Sequence, residues 1–325
     1  MNEAPASTTA VRPPPGPEEP AARVRDLRKV FGRLTAVDGI DLDVPAGSVF
    51  GMLGPNGSGK TTLIRMLLGL TRPTSGTVEL LGRRVPDGLP AALPDVGALV
   101  EGPGFHPFLS GRENLRRVAT LEPRLSAREI RPAVDAALDR VGLAGAAGRR
   151  YRGYSLGMKQ RLGLAAALVV PRRLVVLDEP TNGLDPAGTR EIRAVVADLR
   201  RSGVTVLLSS HLLSEVESVC THVAVLKRGT LVASGELQRL LDAVAGGWEI
   251  GTTDVDGALR VLHGTGARAR ADDDGVVVGG VVVEDGPPAP ELFAALVRAG
   301  IPVHGLRRQR PDLETLFTRI TEGDS

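Results

Sequence analysis

The sequence predicts an α/β fold in which helices flank a mixed β-sheet. One observation is a short apolar stretch at residues 48–53 that runs into a glycine-rich loop and a helix-forming stretch at 61–70. The other is a pair of apolar stretches without regular polar alternation at 174–177 and 204–208, with a predicted helix at 190–200 between them. Strands without polar alternation are typical of a parallel sheet that is covered on both faces. The strand–helix–strand order therefore predicts a βαβ unit within an α/β fold.

Other strands of the same half of the chain have a different character. Residues 38–44 alternate between apolar and polar side chains, as expected of a strand that is buried on one face only. Residues 77–85 predict an edge strand or hairpin. Residues 222–233 predict a hairpin that turns at Arg228-Gly229.

Residues 106–170 predict a helical subdomain. Within it, Ser126 and Glu129 have the spacing of a capping box, which marks the start of a helix with one apolar face. Pro132 lies inside this predicted helix, where it lacks an N–H to donate. We therefore expect the helix to begin later than the capping box indicates.

A change of character at residues 245–247 predicts a domain boundary. Residues 1–22 predict a disordered, proline-rich tail, and residues 23–244 predict one large domain. Residues 248–325 predict a small α+β accessory or regulatory module with the order βαββαβ, which suits a ferredoxin-like fold. Its final segment, 313–320, is amphipathic and is expected to dock on an apolar surface.

Composition narrows the function classes. The hydrophobic share of 42% supports a sizeable core, and the net charge of +2 is too small to favour nucleic acid as the main ligand. The single cysteine, Cys220, excludes an intramolecular disulfide and a cysteine-based metal cluster. There is no apolar run of about 18 residues, and the first residues do not resemble a signal peptide. We expect a cytosolic protein that does any membrane work through a partner.

A phosphate-binding loop is predicted at the first strand–helix junction. The stretch Gly54-Pro-Asn-Gly-Ser-Gly-Lys-Thr61 fits the pattern G-x-x-x-x-G-K-[ST]. Its glycines let backbone N–H groups turn towards phosphate oxygens, Lys60 is expected to reach the β- and γ-phosphates, and Thr61 to bind Mg²⁺. The competing interpretation is a glycine-rich turn with a solvated lysine. The predicted nucleotide-binding residues of this loop are Gly54, Pro55, Asn56, Gly57, Ser58, Gly59, Lys60, Thr61 and Thr62.

Two carboxylates follow the second apolar strand. Asp178 is expected to hold Mg²⁺, directly or through water, and Glu179 to polarise a water molecule for attack on the γ-phosphate. An acidic pair at this position can also simply cap the next helix. Because the phosphate loop lies upstream in the same chain, the catalytic interpretation is favoured.

Residues 23–240 resemble an ATP-binding-cassette ATPase, a branch of the P-loop NTPases. The marker is the stretch Tyr154-Ser-Leu-Gly-Met-Lys-Gln160, which is similar to the LSGGQ signature of that family. Ser155 and Gly157 match the signature, whereas Leu156 replaces its first glycine and Met158 replaces its glutamine. The resemblance implies that residues 154–158 face the ATP held by a second subunit.

Further positions resemble functional residues of the family. Asp185, in Asn182-Gly-Leu-Asp, resembles the D-loop residue that communicates between subunits. His211 matches the switch histidine that contacts the γ-phosphate, and Phe31 matches the aromatic residue that stacks on adenine. A core phenylalanine is the alternative interpretation of Phe31.

Glu101 departs from the common family pattern because most members carry the Q-loop glutamine at this position. A carboxylate there can still bind Mg²⁺ or orient water, so Glu101 joins Thr61 and Asp178 as a predicted metal ligand. A branch of exporters involved in drug and bacteriocin resistance resembles this chain over residues 101–115 and in a tail similar to 311–317. The resemblance implies export.

The family resemblance also implies cofactors and partners. ATP and Mg²⁺ are expected at two sites of a head-to-tail dimer of this chain, which would sit on the cytoplasmic face of the membrane against a separate integral permease. No nucleic acid is expected. Two alternatives stay open: an importer subunit, and a soluble ATPase of the same family that acts on ribosomes or DNA.

Overall fold

The computed structural model of the protein describes residues 19–102, 104–244, 247–271, 280–308 and 312–322. The chain forms two compact units that divide between Ser234 and Gly235. Residues 1–18 of the predicted tail lie outside the described residues, whereas Ala21 and Ala22 at its end are buried. Within the residues described, none of the helices has both the length and the apolar character needed to cross a membrane.

Ten strands, seven helices and three short 3₁₀ turns make up the first unit as far as the structure describes it. The strands are β1 (Ala22–Phe31), β2 (Leu34–Val44), β3 (Val49–Leu53), β4 (Ser75–Leu80), β5 (Arg83–Val85), β6 (Val96–Leu99), β7 (Leu174–Asp178), β8 (Thr205–Ser210), β9 (His222–Lys227) and β10 (Thr230–Glu236). The helices are α1 (Lys60–Leu67), α2 (Leu89–Ala92), α3 (Gly111–Ala119), α4 (Ala127–Arg140), α5 (Leu156–Ala167), α6 (Pro186–Arg201) and α7 (Leu213–Val219). The 3₁₀ turns are Leu93–Asp95, Ala144–Ala146 and Tyr151–Gly153.

The strands of the first unit form two separate sheets. A six-stranded sheet has the order β10-β9-β3-β8-β7-β6, in which β9, β3, β8, β7 and β6 are parallel to one another. A four-stranded antiparallel sheet has the order β2-β1-β4-β5. The apolar stretches 174–177 and 204–208 are thus parallel strands inside the sheet, and the alternating stretch 38–44 is in the antiparallel sheet, where one face can be solvated. The sequence predicted both kinds of strand.

Helix α1 lies within the main core, together with residues from both sheets. Leu63, Ile64 and Met66 have no exposed surface, and they share this core with Ile40 of β2 and Met52 of β3. The helix ends at Leu67, two residues before Gly69, whose φ of 68° no longer continues a helix. The core therefore fixes the position of α1 and of the loop that precedes it.

The helical region contains α3, α4 and α5, as the sequence predicted. Helix α4 begins at Ala127, directly after Ser126, whose backbone N–H donates to Glu129 Oε2 at 2.9 Å. The expectation that Pro132 delays the start of this helix was wrong. Proline at this position removes one backbone hydrogen bond, but the capping box satisfies the donors of the first turn and outweighs that loss.

A buried ion pair connects the α3–α4 junction to the parallel sheet. Arg172, just before β7, lies 2.9 Å from Glu122 Oε2, and both side chains are at most 10% exposed. Arg124 binds the other oxygen of Glu122 at 3.0 Å. Burial acts to raise the pKa of Glu122, but the hydrogen bond from Arg124 and the charges of Arg172 and Arg124 outweigh burial. The pKa of Glu122 is therefore lowered. The carboxylate is therefore charged in the folded protein.

The second unit contains a four-stranded antiparallel sheet with the order β12-β13-β11-β14. Its strands are β11 (Trp248–Thr252), β12 (Arg268–Ala271), β13 (Gly280–Asp285) and β14 (Val303–Arg308), and its helices are α8 (Leu237–Val244), α9 (Val255–Gly264), α10 (Ala289–Arg298) and α11 (Leu313–Glu322). From β11 to β14 the order is βαββαβ, as predicted, and the pairing agrees with a ferredoxin-like fold.

Apolar side chains of one sheet face and of helices α9 and α10 form the core of this unit. Val281 and Val283 of β13 are buried in this core. Helix α11 packs against α8, and its residues Leu313 and Leu316 are buried. The amphipathic segment thus docks within its own unit.

The Glu122–Arg172 pair gives a test of how the helical region is fixed. We expect Glu122→Gln to lower the free energy of unfolding by about 3–5 kcal/mol, because the substitution leaves the buried Arg172 without its counter-charge. The pKa of Glu122 is lowered on folding, so this stabilisation is present above the pKa of the unfolded carboxyl and is lost as the pH falls through the folded value. Urea unfolding followed by circular dichroism at neutral and acidic pH measures both effects.

The matched control is Asp198→Asn. Asp198 of α6 pairs with Arg140 of α4 at 2.7 Å, but its side chain is 42% exposed. An exposed pair contributes at most about 1 kcal/mol. Equal effects of the two variants would contradict the assigned role of Glu122.

Candidate functional site

At two positions of the loop between β3 and α1, the backbone conformation leaves no room for a side chain. Gly54 has φ 151°, and a Cβ atom there would lie 2.3 Å from the carbonyl oxygen of Leu226. Gly59, which precedes α1, has φ 105°, and a Cβ atom there would lie 2.5 Å from the carbonyl oxygen of Ala36. Both glycines are therefore required for the loop to wrap around the N-terminus of the helix.

Lys60, the first residue of α1, is directed into this loop. It is only 5% exposed, and its Nζ donates to the carbonyl oxygens of Gly54 at 2.7 Å and Pro55 at 3.3 Å. The same ammonium lies 3.6 Å from Glu179 Oε1. A buried lysine held in this way, beside the positive end of a helix, creates a site for an anion. The alternative of a solvated lysine was wrong.

Three side chains from α1, β7 and β8 meet beside the loop. The Thr61 hydroxyl lies 3.2 Å from Asp178 Oδ1, and the Ser209 hydroxyl donates to the same oxygen at 2.6 Å. In the parallel pair β7–β8, Asp178 and Ser209 are direct register partners. Across the described part of the chain, no three His, Cys, Asp or Glu side chains come together to form a metal site by themselves.

Glu179 and His211 form a second pair at the same edge of the sheet. His211 Nδ1 lies 2.7 Å from Glu179 Oε2, and the backbone N–H of Glu179 donates to the Ser209 hydroxyl at 2.9 Å. Glu179 has φ 47°, an uncommon conformation for a residue other than glycine. Since Oε1 lies near Lys60 and Oε2 near His211, both carboxylate oxygens are held in place.

A cavity of about 310 Å³ extends from Lys60, Thr61 and Glu179 to Phe31. The Phe31 side chain is 48% exposed, with Lys29 Nζ 4.7 Å from the centre of its ring. The interpretation of Phe31 as a core residue was therefore wrong. Predicted residues that line the cavity are Phe31, Asn56, Gly57, Ser58, Gly59, Lys60, Thr61, Thr62 and Glu179.

The signature-like stretch lies at the start of α5. Ser155 is the N-cap residue, and its hydroxyl accepts a hydrogen bond from the backbone N–H of Met158 at 3.2 Å. Ser155 and Leu156 are exposed, and Gly157 and Met158 are partly exposed. Tyr154 is buried instead, and its hydroxyl donates to the carbonyl oxygen of Ala146 at 2.8 Å. Tyr154 therefore anchors the helix start, and the four residues after it reach the surface.

Two more predicted residues lie outside the cavity. Asp185 is the exposed N-cap residue of α6 and accepts a hydrogen bond from the backbone N–H of Gly188 at 2.9 Å. Glu101 follows β6, has φ 63°, and forms an ion pair with Arg65 of α1. Arg65 lies one helical turn after Thr61, so the charge of Glu101 is balanced close to the predicted metal ligands.

Ser209 is the site residue that the sequence did not single out. Its hydroxyl contacts both Asp178 and the backbone of Glu179. The available signal was a hydroxyl residue near the end of a buried strand that lies beside the strand ending in Asp178. That signal required knowledge of the β7–β8 register.

Residues 37–182 match the sequence family described as ABC transporter. The chain is 37% identical to the uncharacterised ABC transporter ATP-binding protein YdbJ of Bacillus subtilis, over 93% of this chain and 96% of that protein. It is 35% identical to the bacitracin transport ATP-binding protein BcrA of Enterococcus faecalis, over 92% of this chain and 95% of BcrA. It is also 35% identical to the daunorubicin resistance ATP-binding protein DrrA3 of Streptomyces coeruleorubidus, over 94% and 96% of the two chains.

Solved structures share the fold of the first unit. Protein cbiO1 from Clostridium perfringens, part of the ABC transporter complex cbiONQ, superimposes with a TM-score of 0.63 at 27% identity, over 69% of this chain and 92% of cbiO1. The bacterial ABC transporter cassette MJ0796 superimposes with a TM-score of 0.62 at 24% identity, over 66% of this chain and 98% of MJ0796. This likeness shows that the two chains share a fold. The phosphate loop, its carboxylates and these relatives together establish that the chain belongs to the ABC transporter family, as an ATP-binding and ATP-hydrolysing subunit.

Proposed function

We propose that this chain powers export of an antibiotic, drug-like or peptide substrate through a separate membrane permease. The observation that carries the ATPase part is the convergence of Lys60, Glu179 and His211 at the phosphate loop. The export part is supported by relatives named for bacitracin transport and daunorubicin resistance, which align over nearly the whole chain.

ATP is proposed to lie in the cavity between Phe31 and the loop. The half-exposed Phe31 ring offers an apolar face for stacking on adenine. The backbone N–H groups of the loop and of the first turn of α1, together with Lys60, then hold the phosphates. The ammonium group of Lys60 stays beside the phosphate-binding loop because it is buried and donates a hydrogen bond to the carbonyl oxygen of Gly54.

Glu179 is proposed to be the general base of hydrolysis. A water oxygen attacks the γ-phosphorus, and the bond from this phosphorus to the β–γ bridging oxygen breaks. The proton of the water passes to Glu179, and the products are ADP and phosphate. Its contact with His211 orients the carboxylate for this transfer. His211 is also proposed to contact the γ-phosphate.

The donor set beside the loop fits Mg²⁺. Mg²⁺ is usually held by one or two carboxylates together with phosphate oxygens, and Asp178 with the Thr61 hydroxyl supplies such donors 3.2 Å apart. When bound, Mg²⁺ neutralises charge on the phosphates. Asp178 and Thr61 would hold it, and Glu101 would add a ligand only if its pair with Arg65 opened.

Replacing the proposed base tests the chemistry. We expect Glu179→Gln to lower the kcat of ATP hydrolysis by about 10²–10⁴-fold, since the amide cannot accept the proton. The Kd for ATP is expected to change little, because the phosphate loop is intact. Steady-state hydrolysis and equilibrium binding of ATP measure the two quantities.

The control for this variant is Glu291→Gln, which changes the same functional group on α10 of the second unit. It is expected to leave kcat unchanged. Normal hydrolysis by Glu179→Gln would mean that another group is the base.

A second copy of the chain is proposed to complete each ATP site. Ser155 and Gly157 lie at the exposed N-terminus of the twelve-residue helix α5, where partial positive charge favours an anion. Two copies packed head to tail would bring this helix end to the γ-phosphate held by the other copy. The exposed Asp185 would lie at the same dimer interface.

Mixing two inactive variants tests the shared site. Lys60→Ala removes the cation of the phosphate loop, and Gly157→Asp places a repelling carboxylate at the start of α5. A Cβ atom at Gly157 would have its nearest neighbour, Leu184 Cδ2, at 3.7 Å, so the aspartate is accommodated. In an equimolar mixture, about half of the dimers are mixed and each has one intact site, so about a quarter of the wild-type activity is expected to return.

Each variant alone is expected to be inactive, and ATP hydrolysis by the separate and mixed proteins is the measurement. If both parts of the site came from one copy, no mixture would recover activity.

The permease is proposed to dock on a groove of about 640 Å³ in the helical region. The groove begins at Gly104, three residues after Glu101, and includes Leu121, which is 83% exposed. Asn114 shapes its wall, because its side chain is buried and binds both the N–H and the carbonyl group of His106. The adjacent Phe108 is 61% exposed. Apolar side chains exposed around a concave surface indicate a protein partner.

Purification of the tagged chain from detergent-solubilised membranes of its host tests this role. We expect an integral membrane protein to co-purify, and Phe108→Asp with Leu121→Asp to abolish co-purification while ATP hydrolysis persists. Cells that lack the gene are expected to become more sensitive to a bacitracin-like or daunorubicin-like compound.

The control is Val297→Asp, which changes an apolar side chain on α10 that is 56% exposed. Co-purification of ribosomes or DNA in place of a membrane protein would overturn the transport proposal.

A further inference from the structure

We propose that Glu215 is a positioning residue for ATP hydrolysis, which ties together the two segments that carry Glu179 and His211. The inference rests on the proposed roles of Glu179 and His211 and deepens them. Glu215 lies in the first turn of α7 and does not face the nucleotide cavity, whose lining does not include it.

One oxygen of Glu215 binds hydroxyl groups from two different segments. Glu215 Oε2 accepts hydrogen bonds from Thr181 Oγ1 at 2.5 Å and from Ser210 Oγ at 3.1 Å. Thr181 is two residues after Glu179, and Ser210 immediately precedes His211. The carboxylate is thus a bridge behind the Glu179–His211 pair.

This bridge is buried. Glu215 and Thr181 are each 8% exposed, and Ser210 is 1% exposed. The same small space is lined by apolar side chains of α6 and by Arg193, whose Nε has no hydrogen-bond partner in the described part of the structure. A carboxylate in such surroundings is costly unless its hydrogen bonds are made, so both contacts are expected to be held firmly.

The β7–β8 ladder ends at the pair Asp178–Ser209, so the two turns beyond it are held by side-chain contacts. Glu179 has φ 47°, so its turn is not in the preferred conformation of a glutamate. On the other segment, the Ser210 hydroxyl also accepts a hydrogen bond from the backbone N–H of Leu212 at 3.0 Å, which fixes the turn around His211. Through Thr181 and Ser210, Glu215 therefore sets the spacing between the two turns, which brings Glu179 and His211 to 2.7 Å.

The test replaces Glu215 with side chains of similar size. Leucine fills the space but accepts no hydrogen bond, whereas glutamine keeps an acceptor oxygen. We expect Glu215→Leu to lower kcat for ATP hydrolysis by about 100-fold with little change in KM, since a misplacement of about 1 Å costs that much. Glu215→Gln is expected to retain most of the activity. Glu217→Gln, on the exposed side of the same helix, is the control and is expected to match the wild type.

Epistasis separates positioning from a loss of folded protein. If Glu215 acts through Glu179, the double variant Glu179→Gln/Glu215→Leu should have the kcat of Glu179→Gln alone. A further 100-fold loss in the double variant would overturn the proposal, as would a normal kcat in Glu215→Leu. Normal hydrolysis by Glu179→Gln would instead show that the proposed base is wrong.

Thr181→Val provides an independent variant if Glu215→Leu does not fold. It removes one of the two contacts without changing the volume or the charge of the site. We expect it to lower kcat by about 10-fold with unchanged KM. A kcat equal to that of the wild type would count against the bridge.

Discussion

Burial of helix α1 between residues of two sheets determines the direction in which its N-terminus points. Its apolar side chains have almost no exposed surface, and each contributes about 1.5–3 kcal/mol when it leaves water. The first turn therefore cannot tilt without loss of that packing. Lys60 and Thr61 lie on this fixed turn. The packing of the core, in addition to the sequence of the loop, therefore determines the geometry of the phosphate site.

The parallel sheet supplies the second fixed reference. Asp178 and Ser209 are register partners at the ends of β7 and β8, and β8 lies directly beside β3, which leads into the loop. A slip of one residue would turn these polar side chains to the other face of the sheet. The contacts of Asp178 with Thr61 and of Ser209 with Glu179 therefore depend on this register.

Local patterns carried most of what the sequence could predict. The loop from Gly54 to Thr62 and the pair Asp178–Glu179 are short contiguous signals, and each requires its neighbours in the chain to work. Contacts between distant segments produce no local sequence pattern, so they could not be predicted in this way. The Arg65–Glu101 pair joins residues 36 positions apart, and the Thr181–Glu215 pair joins residues 34 positions apart. The Pro132 expectation failed because the capping box at Ser126, which the sequence also shows, outweighs the one backbone hydrogen bond that the proline removes.

The single tryptophan of the chain is Trp248, in β11 of the second unit. Its ring is partly buried against the core of that unit, so its emission responds to the packing of these helices and strands. The first unit holds no tryptophan, and circular dichroism instead sums over both units. Intrinsic fluorescence is therefore a built-in, label-free reporter of the smaller unit, and the difference between the two signals measures how far the units unfold independently.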